Sequence, residues 1–165
     1  MSNKIIIGNI VSFVGSILFF LSSRFKKQKH ICAMQAIECA VTGTAALILG
    51  GFLGAITTYI AGVRNVLGVW KLNGIWCNVS SLVIIFIMTI INYNSLQDLI
   101  PFVATLIYTT FLSFKSAKMT KIGIIPNSAL WLLYGIFNNM YINCLFNIIN
   151  ILSCSFDLKN KNYED

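Results

Sequence analysis

Seven apolar runs, at 5–23, 31–50, 52–70, 74–92, 98–114, 122–137 and 140–157, constrain this chain more than any other feature. A helix needs about 20 apolar residues to cross the hydrocarbon of a bilayer. At about 1.5 Å per residue, a run such as 5–23 reaches roughly 28 Å. In lipid the backbone must satisfy its own polar groups within the segment, so each run is read as a helix. The connections fit hairpins: GGFLG (50–54) and FNNMY (137–141) offer Gly and Asn, which tolerate positive φ in tight turns. The sixth run is the shortest and holds Pro126, which frees the carbonyl of Ile122 and predicts a bend. Composition agrees: 57% of the 165 residues are hydrophobic and 10% charged, against about 25% charged in a soluble domain.

The few charges give the orientation. With the N-terminus outside, the inner connections receive RFKKQKH (24–30), Lys71, KSAK with Lys121, and the tail with Lys159 and Lys161. Arg64 falls in the inner half of the third helix, so of the twelve Lys and Arg residues Lys4 alone lies outside. The positive-inside rule then selects N-outside, C-inside and an odd number of crossings. Trp70 and Trp76 flank Lys71 at the level of the headgroups. Positive charge follows the first apolar run instead of preceding it, so 1–23 reads as a retained helix and not a signal peptide.

The chain also repeats itself. FVGSILFFLSSRFK (13–26) lies over FVATLIYTTFLSFK (102–115), and VRNVLG (63–68) over IINILS (148–153), matching Asn65 to Asn150; Gly50 matches Gly135. Helices one to three then correspond to five to seven, and the fourth is a linker that lets both triplets enter the membrane from the same side. The expected architecture is an all-α integral membrane protein of about seven helices in a parallel 3+1+3 repeat. Its divisions are a first bundle at 1–71, a linker helix at 72–97, a second bundle at 98–157 and a polar cytoplasmic tail at 158–165.

Several function classes are excluded. The net charge of +7 sits in short clusters between apolar runs, without a basic arm or a nucleic-acid motif. The five cysteines form no CxxC pair and His30 is the only histidine, so they read as small packing residues, and neither a metal nor another cofactor is expected. No catalytic constellation or phosphate-binding glycine loop occurs, so no enzyme is expected. NVS at 78–80 lies in an apolar run and is no glycosylation signal.

Glu38 and Arg64 stand out as charges deep inside predicted helices, each about seven residues, or roughly 10 Å, from the inner end. Three readings stay open: an arginine snorkelling to the headgroups, an ion pair pinning the hairpin, or a pair lining a solute or proton path. Asn65 and Asn150 fit either packing across helices or a pocket. Asn143 and Asn147 make one face of the seventh helix rich in amides, which favours a polar cavity. Trp131 and Tyr134, three residues apart, share a face for packing or for a cavity wall. Gly8, Ser12 and Ser16 form a seam of small residues on the first helix.

NIVSFVGSILFFLSS (9–23), GGFLGAITTYIAGVRNVLG (50–68) and SALWLLYGIFNNMYINCLFNIINILS (128–153) resemble the YgjV-type family of small bacterial inner membrane proteins. The 3+1+3 layout also looks like the SWEET and PQ-loop superfamily of sugar and amino-acid transporters and the ER retention receptor. That likeness implies that Asn65 and Asn150 line a central pocket with Trp131 and Tyr134 as aromatic walls. No PQ dipeptide occurs, and Pro101 and Pro126 are the only prolines. Two functions are therefore expected as alternatives. The first is a carrier of a small polar solute, with Asn65, Asn150, Asn147, Trp131 and Tyr134 lining its cavity and Glu38 and Arg64 as intramembrane charges. The second is a non-transporting receptor or partner-binding subunit. Expected partners are the bilayer and, for the carrier, the solute; homo-oligomerisation stays open, and nucleic acid is not expected.

Overall fold

The computed structural model describes residues 3–70, 72, 74–114 and 116–160, leaving out the side chain of Asn160. Lys71, Lys115, Lys161 and the tail residues 161–165, all used in the sequence reading, lie outside the described residues. Seven helices are described: α1 (Asn3–Arg24), α2 (Gln28–Leu49), α3 (Phe52–Val69), α4 (Ile75–Ile91), α5 (Ile100–Leu112), α6 (Ala117–Phe137) and α7 (Tyr141–Asn160). The described residues contain no strand. Four of the helices, α1, α2, α3 and α7, are long and apolar enough to cross a membrane.

The turns form as the sequence predicts. Gly50 ends α2 at φ +90°, and the amide of Gly51 reaches back to the carbonyl of Ala46 at 2.8 Å, satisfying the last helical carbonyls. Asn139 takes φ +57° between α6 and α7. The one-turn 3-10 helix Leu96–Leu99 leads into α5. There Asp98 Oδ2 accepts from the backbone N–H groups of Ser95 at 2.9 Å and Asn94 at 3.0 Å, completing a capping box. Pro101 occupies the first turn of α5, where its missing N–H costs nothing.

Several boundaries correct the sequence reading: α2 starts at Gln28, three residues early, and α7 runs on to Asn160, so the expected tail at 158–165 begins as helix. α5 starts at Ile100, and α6 starts at Ala117, five residues before the expected start, running through Pro126 without interruption. Lys121 therefore belongs to a helix and not to a connection.

The packing order makes a ring. α1 packs on α2, α2 on α3, α5 on α6 and α6 on α7, while α1 against α7 and α3 against α5 close the circle. α4 stands outside, packed against α3 and α5, with Asn78 donating to Ser113 Oγ at 2.8 Å. Asn78, the first residue of the NVS triplet, is buried in that contact. The outer surface is apolar, with Ile7, Ile10, Val83, Ile84, Leu145, Leu152 and Phe156 exposed. The interior holds Ser12, Thr57, Asn65, Thr105, Ser128, Asn147 and Asn150, all buried. A water-soluble helical protein has the opposite arrangement.

Candidate functional site

A partly open cavity of about 80 Å³ lies within the ring. Every ring helix contributes to its wall: Phe19 from α1, Gln35, Glu38, Cys39 and Thr42 from α2, Thr57, Thr58, Ala61, Arg64 and Asn65 from α3. Thr105 and Tyr108 come from α5, Asn127 and Trp131 from α6, and Asn143 and Asn147 from α7; α4 gives none. Two apolar clusters bracket it. Cys32, Leu112, Ile124 and Cys154, with Val69 beside them, pack at the end holding the α1–α2 connection. Ala46, Ala55, Tyr134 and Met140 pack at the opposite end. Tyr108 belongs to the first cluster and Trp131 packs on the second, so an aromatic stands at each limit of the cavity.

Arg64 is only 1% exposed and reaches across the α3–α5 seam. Its Nη1 donates to Thr109 Oγ1, and its guanidinium lies 5.7 Å from the centre of the Tyr108 ring, close enough for a cation–π attraction. Tyr108 in turn donates its hydroxyl to Gln35 Oε1 at 2.7 Å. Arg64 Nε and Nη2, Gln35 Nε2 and Asn65 Oδ1 are buried with no hydrogen-bond partner in the protein. Buried polar groups are paired in the great majority of cases, and each exception needs a physical explanation. Here four such atoms belong to residues that line one cavity, yet each is closed to solvent, so a solute reaches them only when the wall side chains shift.

These contacts correct two of the expected roles of Arg64. It does not snorkel, because it is buried, and it makes no ion pair with Glu38: the salt bridges among the described residues involve Asp157 instead. Equal depth on neighbouring helices did not bring the pair together, because the guanidinium turns toward α5. Glu38 stays on the wall, where Cys39 donates its thiol to Glu38 Oε2 at 3.5 Å and Asn65 Nδ2 lies 3.9 Å from Cys39 Sγ.

The other expected residues divide. Asn65, Asn147 and Trp131 line the cavity, and Asn147 also donates to Asn143 Oδ1 and to the carbonyl of Asn143 at 3.0 Å. Asn150 and Tyr134 are not on its wall. Asn150 is fully buried one turn beyond Asn147, and neither atom of its amide has a partner. Tyr134 is structural: its hydroxyl accepts the otherwise orphan N–H of Gly54 at 3.2 Å, in the first turn of α3. The five cysteines are free, with Cys32, Cys39 and Cys154 buried, as packing residues should be.

The structure also pairs charges that the sequence reading placed on the inner side without partners. Lys121 Nζ meets Asp157 Oδ2 at 2.8 Å, with side chains 0% and 2% exposed. Arg24 Nη1 reaches Asp157 Oδ1 at 3.5 Å and Ser153 Oγ at 3.1 Å, so α1, α6 and α7 are joined at one end. At the other end Asn9 of α1 donates to the carbonyl of Asn139 at 3.1 Å and accepts the N–H of Ile142 at 3.2 Å. Tyr108 and Thr109 were likewise missed, although Tyr108 aligns with Phe19 at the offset of the first repeat match.

No curated protein and no solved structure matches the chain. A family described as bacterial inner membrane protein does match, and over nearly the full length, residues 6–159. The apolar exterior, the four helices long enough to span a bilayer and this match agree: the chain belongs to the Imp-YgjV family of bacterial inner membrane proteins.

Proposed function

We propose that the protein is a carrier that moves a small polar solute across the bacterial inner membrane, crossing it seven times with its N-terminus outside. The observation that carries this reading is the cavity lined by six helices, with buried polar side chains around it, several of them unpartnered. A subunit that only docks a partner on its surface needs no more than a packed core, and a polar interior of this kind would destabilise it without return.

The packing supports two matched halves. Exchanging α1, α2 and α3 for α5, α6 and α7 turns each ring contact into another ring contact, and the α1–α7 seam into the α3–α5 seam. Phe19 and Tyr108, which correspond at the offset of the first repeat match, both line the cavity. Two similar halves around a central site suit alternating access, in which one half rocks against the other. The seams are also polar, joined by Asn9, Arg24 and Arg64, and polar seams can part without exposing dry core. The basic end holds the exposed Lys26, Lys27 and Lys29, as an inner face should.

Uptake into proteoliposomes tests this directly, using a broad panel of labelled sugars, amino acids, organic acids and polyols. At least one solute should accumulate or exchange, and Asn65→Ala or Asn147→Ala should slow it about tenfold or more with the protein still folded by circular dichroism. If nothing in the panel moves faster than into protein-free vesicles, the carrier reading fails.

A further inference from the structure

We infer that the solute is a small carboxylate, held by the free edge of the Arg64 guanidinium; this rests on the carrier reading and names its substrate class. The argument starts from which atoms are left without partners. Of those on cavity-lining residues, Arg64 Nε, Arg64 Nη2 and Gln35 Nε2 are donors and Asn65 Oδ1 is an acceptor; all four are closed to solvent here, so the solute enters by displacing wall side chains. Nε and Nη2 form the lateral edge of a guanidinium, from which two N–H bonds project in parallel. That spacing matches the two oxygens of a carboxylate.

The edge is fixed in place by its neighbours. Thr109 takes Nη1 at the far corner, the Tyr108 ring lies beside the cationic plane, and the Tyr108 hydroxyl fixes the Gln35 carboxamide oxygen. Gln35 Nε2 is thereby left as a third donor attached to the same tyrosine. A donor set anchored in this way loses little side-chain freedom when an anion arrives. The acceptors Asn65 Oδ1 and the Glu38 carboxyl, on the same cavity, suit a hydroxyl or amino group elsewhere on the solute. Arg64 is the only Lys or Arg among the described wall residues, which fits one carboxylate better than the greater charge of a phosphate.

Matched pairs of ligands test the inference on the wild-type protein in lipid nanodiscs. L-Lactate and succinate are titrated beside their neutral amide twins, L-lactamide and succinamide, with L-alanine, glucose and inorganic phosphate as further probes. Binding is read by calorimetry and by the rise in unfolding temperature, since a ligand that prefers the folded state stabilises it. At least one carboxylate among lactate, succinate and alanine should bind; where it has an amide twin, the twin should bind at least tenfold more weakly. Arg64→Lys, which keeps the charge but loses the parallel edge, should weaken that carboxylate tenfold or more. Equal binding of acid and amide, or binding of glucose or phosphate alone, overturns the carboxylate assignment while leaving a carrier of another solute intact. Unchanged carboxylate binding in Arg64→Lys overturns the role of the arginine. Absence of binding by every carboxylate overturns the inference, and uptake over the broad panel then decides the carrier reading separately. If Arg64→Lys does not fold, the comparison of acids with amides still decides.

Discussion

Replacing Asp157 with asparagine is expected to destabilise the ring more than any single change at the cavity wall. The carboxylate stands 2.8 Å from Lys121 Nζ, with both side chains essentially inaccessible. It also stands 3.5 Å from Arg24, whose side chain is 48% exposed. Breaking a buried pair by removing one member costs about 3–5 kcal/mol, because the remaining charge stays desolvated. A half-exposed pair contributes about 0–1 kcal/mol, so the Lys121 contact carries more of the loss than the Arg24 contact. A cost of about 3–5 kcal/mol lowers the folded-to-unfolded ratio roughly 100- to 4000-fold. Unfolding of purified protein in mixed micelles by increasing SDS, followed by circular dichroism, measures it. Lys121→Met should cost less, because Asp157 keeps Arg24. The double variant Lys121→Met/Asp157→Leu, which removes both buried charges, should return to within about 1 kcal/mol of wild type or exceed it. A loss below about 1 kcal/mol in Asp157→Asn, or a double variant as unstable as the two single losses added, would refute the assignment of a desolvated, mutually compensating pair.

Two further outcomes follow from the packing and the orientation. A Cβ at Gly54 would stand 2.7 Å from Tyr134 Cε1 and 2.9 Å from its hydroxyl, so Gly54→Ala should lower stability by about 1–3 kcal/mol. In a Tyr134→Leu background the same change should cost less than about 1 kcal/mol by thermal unfolding, since the clashing ring is gone. For orientation, Lys4→Cys should react with a membrane-impermeant maleimide on intact spheroplasts and Lys27→Cys only after lysis, in a background with Cys77 and Cys144 replaced by serine; the reverse pattern would invert the proposed topology.

The helices were legible because hydrocarbon thickness and backbone satisfaction leave so few choices for a long apolar run. All seven expected runs contain a helix, and the turn at Gly50 and the one at Asn139 use the positive φ that their sequences allow. Boundaries were less legible, and that had a consequence. Placing the start of the sixth helix at 122 put Lys121 in a connection, where a lysine needs no explanation. In α6 as it stands, starting at Ala117, the same lysine is a buried cation that needs Asp157. Nothing in the apolar pattern marks that difference, since Ala117 to Thr120 can either continue a helix or end one.

Direction around a helix axis was the other missing quantity. Depth could be counted from the sequence, and it put Glu38 and Arg64 level; which way each side chain faces depends on the packing of all six ring helices. α7 shows what the sequence could have supplied. Asn143, Asn147, Asn150, Cys154 and Asp157 follow one another at steps of four, three, four and three residues, which keeps them on one face of a helix. The last four are buried, while Leu145, Ile148, Leu152 and Phe156 between them are exposed. The stripe starts on the cavity wall at Asn143 and Asn147, passes the unpartnered amide of Asn150, and ends at the ion pair with Lys121. Asn150 thus keeps its place in the repeat but lies one turn beyond the wall that Asn65 reaches. The stripe faces neighbouring helices and not lipid, so its amides can be satisfied within the protein. Its fourth member, Cys154, packs in the apolar cluster between the cavity and the basic end, so the carrier reading requires that cluster to part during transport.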